Sequence, residues 1–325
     1  MTGASRVALV FPGQGSQAVG MGRSACAQHP EARAVFERAD TALGFPLSGV
    51  CFDGPEEALR LTATTQPAIL TTSLALLAAL RATAPDLVPG RVVCAAGHSL
   101  GEYSALVAAG ALDLEDAVRT VRRRGEYMQE AVPAGQGAMA AVLGVTLEVV
   151  ERLCREAAHG EVLAPANHNA PDQTVVSGTS AAVRRMTLLA RSRGARKVVD
   201  LPVSAPFHCA LMRPAQERLA ADLAALLMRD AAFPVINNVS ALPETAADRH
   251  REALSAQMTA PVRWVETVLR LKEMGVEAIV EVGPGKVLTG LAKRIAPDLA
   301  RHHVEDADSL RATVAALSGD TTVRA

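Results

Sequence analysis

Aromatic residues are scarce in this chain: one Trp, two Tyr and six Phe make up 3% of its 325 residues. A surface that stacks nucleic-acid bases needs more rings, and a net charge of −1 supplies no field to draw a polyanion. No nucleic-acid partner is expected. Cysteine is also sparse. Cys26, Cys51, Cys94, Cys154 and Cys209 are scattered, odd in number and without a Cys-x-x-Cys pair, which excludes a disulfide framework and a structural zinc site. That usage fits a reduced, cytoplasmic protein. The one histidine pair, His302 and His303, is read as surface, because adjacent side chains point apart, so no metal site is expected. No apolar run approaches a membrane span, and residues 1–6 are too short for the apolar core of a signal peptide, so neither membrane insertion nor export is expected.

Apolar residues are plentiful. At 49% hydrophobic the chain can bury a large core and hold one large domain or two unequal ones. Strand-like apolar runs alternate with helical ones along most of the length, the pattern of an α/β protein with a largely parallel sheet. Strands are predicted at 7–11, 91–96 and 277–282. Helices are predicted at 66–82, with Pro67 in the first turn, at 102–112, at 113–130 and from about 287. The middle differs: strand 138–143, helix 147–157, strands 162–167 and 174–177, helix 181–193, strand 197–203. That βαββαβ order is the ferredoxin-like arrangement. It predicts a small subdomain at 132–203 inserted into a larger hydrolase-like α/β subdomain made of 1–131 and 204–325, with hinges at 133–137 and 202–206. A site at the seam between them is the natural expectation.

Gly97-His98-Ser99-Leu100-Gly101 sits between a predicted strand and a predicted helix. A serine with a glycine two residues away on each side, at such a turn, reads as a nucleophile elbow. The tight turn leaves no room for side chains at the flanking positions, and it raises the serine hydroxyl over the N-terminus of the next helix, where developing negative charge is favoured. A serine nucleophile needs a base. Of eight histidines, His208 stands out, because it follows the predicted return from the small subdomain to the large one. His98, next to the serine, is read as supporting the elbow. Two other glycine-rich stretches, Pro12-Gly13-Gln14-Gly15 and Gly283-Pro284-Gly285-Lys286, lack the spacing of a phosphate-binding loop.

These motifs, taken together, resemble the malonyl-CoA:acyl carrier protein transacylases. The matching segments are residues 11–17 (Phe-Pro-Gly-Gln-Gly-Ser-Gln), Gln66-Pro67, residues 97–103 (Gly-His-Ser-Leu-Gly-Glu-Tyr), Arg124-Gly125 with Met128-Gln129, Asn167 with Asn169, residues 202–212 and residues 281–286. The resemblance implies a discrete acyltransferase of fatty acid or polyketide synthesis that works by ping-pong transfer through a seryl ester. Ser99 would be the nucleophile and His208 the base, oriented by the backbone carbonyl of Gln257. The main-chain N–H groups of Gln14 and Leu100 would form the oxyanion hole. Arg124 would grip the free carboxylate of the acyl group, with Gln66 and Met128 lining the pocket. Arginine suits that task because its planar fork makes two parallel bonds to a carboxylate and stays charged when desolvated. Phe207 would crowd a branched α-carbon, favouring malonyl over methylmalonyl.

The implied substrates are malonyl-CoA and the phosphopantetheine thiol of an acidic acyl carrier protein, with no bound cofactor and a monomeric enzyme. Phe207 replaces the small residue, and Ala260 the Asn, of the fatty-acid-type pattern, which leaves both pathways open. A transacylase for a larger or carrier-bound acyl unit, or a proofreading acyl hydrolase on the same Ser–His pair, are the alternatives. The basic run Arg184, Arg185, Arg191, Arg193, Arg196 and Lys197 reads by default as a solvated face and alternatively as a carrier-docking patch; Arg122 and Arg123 read as solvated.

Overall fold

In the computed structural model, residues 6–203 and 205–318 are described. Ser204 of the expected second hinge and the start of the chain, residues 1–5, lie outside them. Ten strands form two sheets: β1 (Val7–Phe11), β2 (Val92–Gly97), β3 (Gly137–Leu143), β4 (Leu163–Ala170), β5 (Gln173–Thr179), β6 (Lys197–Asp200), β7 (Val235–Ile236), β8 (Pro243–Glu244), β9 (Ala278–Val282) and β10 (Ala300–Val304). The first sheet has the order β10-β9-β1-β2-β7-β8 and is parallel except for the β7–β8 pair. β1 reads Val-Ala-Leu-Val-Phe, buried at every residue, as a central strand covered on both faces must be.

The second sheet has the order β4-β5-β3-β6, antiparallel throughout, and encloses its own apolar cluster with the helices Leu147–Ala158 and Ser180–Ser192. The expected βαββαβ order is there, with the first and second of its strands separated by the third. β4 is also stitched to the larger sheet's layer. Asn167 bridges Val262, and main-chain bonds run from His168 N to Val262 O (2.9 Å) and from Val262 N to Ala166 O (2.8 Å).

Several expectations shift. Pro67 is not in a first turn: the helix spans Thr62–Thr83, so the proline sits inside it. The threonine-rich start, Thr62-Ala63-Thr64-Thr65, carries little helix propensity and is held by burial. This 22-residue helix, of mean hydropathy 1.3, has the length and apolarity of a membrane span, contrary to the reading of the sequence. It is a core helix, and 89% of its most apolar stretch lies inside the protein. The helix after the elbow, Gly101–Ala108, stops short of 112, with Gly110 left-handed at φ 73° just beyond it. β6 ends at Asp200 rather than 203.

Candidate active site

β1 and β2 are neighbours, and their carboxyl ends deliver the two turns that matter, residues 12–15 and 98–100. The elbow is as tight as its glycines imply. A Cβ on Gly97 would lie 1.9 Å from the Gly101 carbonyl carbon, and one on Gly101 would lie 2.1 Å from the Phe11 carbonyl oxygen. Ser99 takes the left-handed φ of 51°, a conformation that costs a non-glycine residue on the order of 1–3 kcal/mol and needs outside support. Asn238 supplies that support. Its Oδ1 accepts from Ser99 N–H (2.7 Å) and its Nδ2 donates to Gly97 O (2.7 Å).

The Ser99 hydroxyl lies 2.8 Å from His208 Nε2. On the other side of the ring, Nδ1 is 2.9 Å from the Gln257 carbonyl oxygen. A carbonyl only accepts, so Nδ1 carries the proton and Nε2 faces the serine as an acceptor. His208 is 4% exposed. Burial first, and then the positive charge of Arg124, push its pKa down to about 3, so the ring is neutral at physiological pH and its Nε2 lone pair is available to the serine hydroxyl.

Arg124 is 1% exposed. Its guanidinium donates to Gln66 Oε1 (2.7 Å), Gln257 Oε1 (2.9 Å) and Ser99 Oγ (3.1 Å), and its central carbon lies 5.7 Å from the Tyr103 ring centre. Among the described residues it has no ion-pair partner. Burial accordingly lowers its pKa. A buried cation held by neutral acceptors, against a serine hydroxyl, is a seat for an anion.

These groups line a cavity of about 100 Å³, the volume of a few waters, walled also by Gln14, Leu100, Met128 and Phe207. The N–H groups of Gln14 and Leu100 have no hydrogen-bond partner among the described residues. Gln66 Nε2 lies 3.4 Å from Met128 Sδ. All nine residues singled out from the sequence therefore meet at one place. His98 turns away from the serine, its Nε2 2.8 Å from Asn169 Oδ1 on β4 and its ring 5.7 Å from that of Trp264.

Three contributions escaped the sequence reading. Asn238 comes from the loop after β7, a stretch with no motif. The Gln257 side chain, not only its carbonyl, takes part. Met139, Leu201 and Val203 add an apolar wall from the smaller sheet and the irregular segment leaving it. A fourth is Glu102, which stands inside the matched segment 97–103 and accepts from Asn238 N–H (2.9 Å) and Gln257 Nε2 (2.7 Å). The basic run on the smaller sheet is not free of acids: Arg185, Arg193 and Arg196 pair with Glu161 (2.7 Å), Glu156 (3.1 Å) and Asp172 (3.7 Å). Arg122 and Arg123 pair with Glu126 and Asp222 outside the cavity.

The profile of the acyl transferase domain matches residues 8–312 of this chain. This chain belongs to the acyl transferase domain family. As an acyl transferase it is 45% identical over 313 residues to a malonyl CoA-acyl carrier protein transacylase of Escherichia coli K12, covering 95% of this chain and 99% of that one. The malonyl CoA-acyl carrier protein transacylase of Coxiella burnetii is similar in structure, with a TM-score of 0.93 and 42% identity over 97% of this acyl transferase and 98% of that chain. A malonyl-transacylase solved in complex with a type II PKS acyl-carrier protein matches with a TM-score of 0.91 and 43% identity, covering 97% and 100%.

Proposed function

We propose that this acyl transferase moves a malonyl group from malonyl-CoA to the phosphopantetheine thiol of an acyl carrier protein, through an ester on Ser99, in fatty acid or polyketide synthesis. The names of its relatives support the reaction, and the complex with a carrier protein supports the partner. The observation that carries the substrate is Arg124: a buried guanidinium with only neutral partners, 3.1 Å from the serine hydroxyl. An uncharged acyl chain would leave it unpaired, whereas a carboxylate on the acyl group would satisfy it. The small cavity supports a short acyl unit.

Ser99 Oγ attacks the thioester carbonyl as His208 Nε2 takes its proton. The N–H groups of Leu100 and Gln14 receive the oxyanion, each worth on the order of 3 kcal/mol of barrier. Collapse breaks the carbon–sulfur bond, and His208 returns the proton to the leaving coenzyme A thiolate. The carrier thiol then attacks the ester by the same steps reversed, giving up its proton to His208, and Ser99 is regenerated. The serine and histidine themselves supply nucleophile and base, so the reaction calls for no bound cofactor. The five cysteines, all buried and free, support a reducing cytoplasm. Residues 132–203 act as an inserted subdomain, a division supported by the separate sheet whose strands run from Gly137 to Asp200.

Intact-mass measurement after brief incubation with malonyl-, methylmalonyl- and acetyl-CoA tests the reading. The expected result is a malonyl adduct that forms preferentially, is absent from Ser99→Ala and is discharged by holo-acyl carrier protein. Release of free coenzyme A without an adduct would replace it with a hydrolase, and reaction only with larger or carrier-bound donors would replace the substrate.

A further inference from the structure

Arg124 rests on two carboxamides, and each amide has a second partner that decides which way round it lies. A guanidinium only donates, so Gln66 and Gln257 must both turn their oxygens toward it. Gln66 is kept that way by Met128 Sδ at 3.4 Å, a weak acceptor. Gln257 is kept that way by Glu102, whose Oε2 accepts from Nε2 at 2.7 Å, and by Ser99 O at 3.2 Å.

Glu102 is an unusual residue to find there. It lies in the first turn of the helix that follows Ser99, is 0% exposed and has no ion-pair partner among the described residues. Oε2 also accepts from Asn238 N–H, while Oε1 has no partner. A fully buried carboxylate left half-satisfied is costly and contributes nothing to packing that an apolar side chain would not. Burial pushes its pKa up to about 7. What the carboxylate does have is a direct hold on the amide that holds Arg124.

We propose that Glu102 is a positioning residue for acyl-carboxylate recognition: it locks the Gln257 amide with its oxygen on Arg124 and so sets the angle at which the guanidinium fork meets the substrate. The inference rests on the malonyl reading above. Without Glu102 the amide loses its shortest bond and keeps only the longer ones to Ser99 O (3.2 Å) and Asn238 Oδ1 (3.4 Å), so it turns more readily, its NH₂ meets the guanidinium, and one of the three anchors of Arg124 is weakened. His208 keeps its own anchor, because that is the Gln257 main-chain carbonyl and not the side chain.

The test is steady-state transfer from malonyl-CoA and acetyl-CoA to holo-acyl carrier protein, with thermal melting, for wild type, Glu102→Ala, Glu102→Gln and Glu102→Asp. Glu102→Ala is expected to raise the malonyl-CoA KM about tenfold, with kcat and acetyl transfer changed by less than about threefold. Glu102→Gln keeps an acceptor oxygen at the right reach and is expected to restore the malonyl KM to within about threefold of wild type. Glu102→Asp keeps the charge but withdraws it by one methylene, and is expected to show the malonyl-selective loss even if the alanine variant does not fold. Equal losses on both substrates, a loss confined to kcat, or an unchanged malonyl KM in Glu102→Ala and Glu102→Asp would overturn the proposal. A wild-type enzyme with no preference for malonyl would overturn the malonyl reading and this inference together; a preference for malonyl that all variants retain would overturn this inference alone.

Discussion

The cavity has two walls, built from different parts of the chain's chemistry. Around Ser99 the proposed machinery is largely main chain: the N–H groups of Gln14 and Leu100, the Gln257 carbonyl behind His208, and glycines at 97 and 101 that let backbones touch. Around Arg124 it is side chain against side chain, with Gln66, Gln257 and Met128 arranged about one guanidinium. Main-chain groups are present whatever the residue, so the first wall depends on conformation. The second depends on residue identity. In the proposed reaction, conformation sets the chemistry on one side, and identity selects the substrate on the other.

That contrast is sharpest at Arg124. Arg124→Ala should reduce malonyl transfer by roughly 10²- to 10³-fold, the scale of stranding one partner of a buried ion pair, while acetyl transfer falls by less than about tenfold. Comparative adduct formation from the two acyl-CoAs measures it, and equal loss on both would collapse the distinction between the walls. A smaller contrast lies in pH. With its pKa depressed to about 3, His208 stays neutral as pH falls from 7 to 5 and is lost as base only as pH approaches that value. Ser99 acylation at saturating acyl-CoA should therefore hold its rate across that range, where a base with an ordinary pKa near 6.5 would lose about twenty-five-fold. A rapid-quench pH profile with a midpoint near 6.5 would show that the ring is more solvated than its 4% exposure implies. The smallest effect is expected at Gln14. Its side chain reaches Thr62 Oγ1 (3.3 Å), and the proposed oxyanion role belongs to its N–H, so Gln14→Ala should change kcat by less than about threefold.

The same division governs what could be read from the sequence. The elbow is legible because glycine spacing encodes a backbone conformation locally: Gly97 and Gly101 announce the turn without any knowledge of the fold. The two sheets are legible because periodicity is local too, and Val7–Phe11 runs as the sequence reading places it. His208 stands out only by its place after the predicted return to the large subdomain, and Arg124 and the Gln257 carbonyl, which carry no local signal, are reached through resemblance. Asn238 and Glu102 act through contacts across 136 positions of chain, and Met139, Leu201 and Val203 meet the serine only because the smaller sheet folds over it. Topology makes those neighbours, and no window of sequence contains it. The start of the Thr62–Thr83 helix was missed for a related reason: burial, a tertiary property, overrides the weak propensity of its threonines.

Gln257 belongs to both walls at once. Its main-chain carbonyl meets His208 and its side-chain amide meets Arg124, so a substitution there removes the second contact and leaves the first in place. For anyone engineering a new extender unit, or for a lineage drifting toward one, the contacts of Arg124 can be retuned at Gln66 and Met128 on one flank and at Gln257 and Glu102 on the other while the histidine keeps its main-chain anchor. Variation in acyl preference should therefore collect on the side chains about Arg124, Gln257 among them, while the carbonyl behind His208 is untouched by any such change of diet.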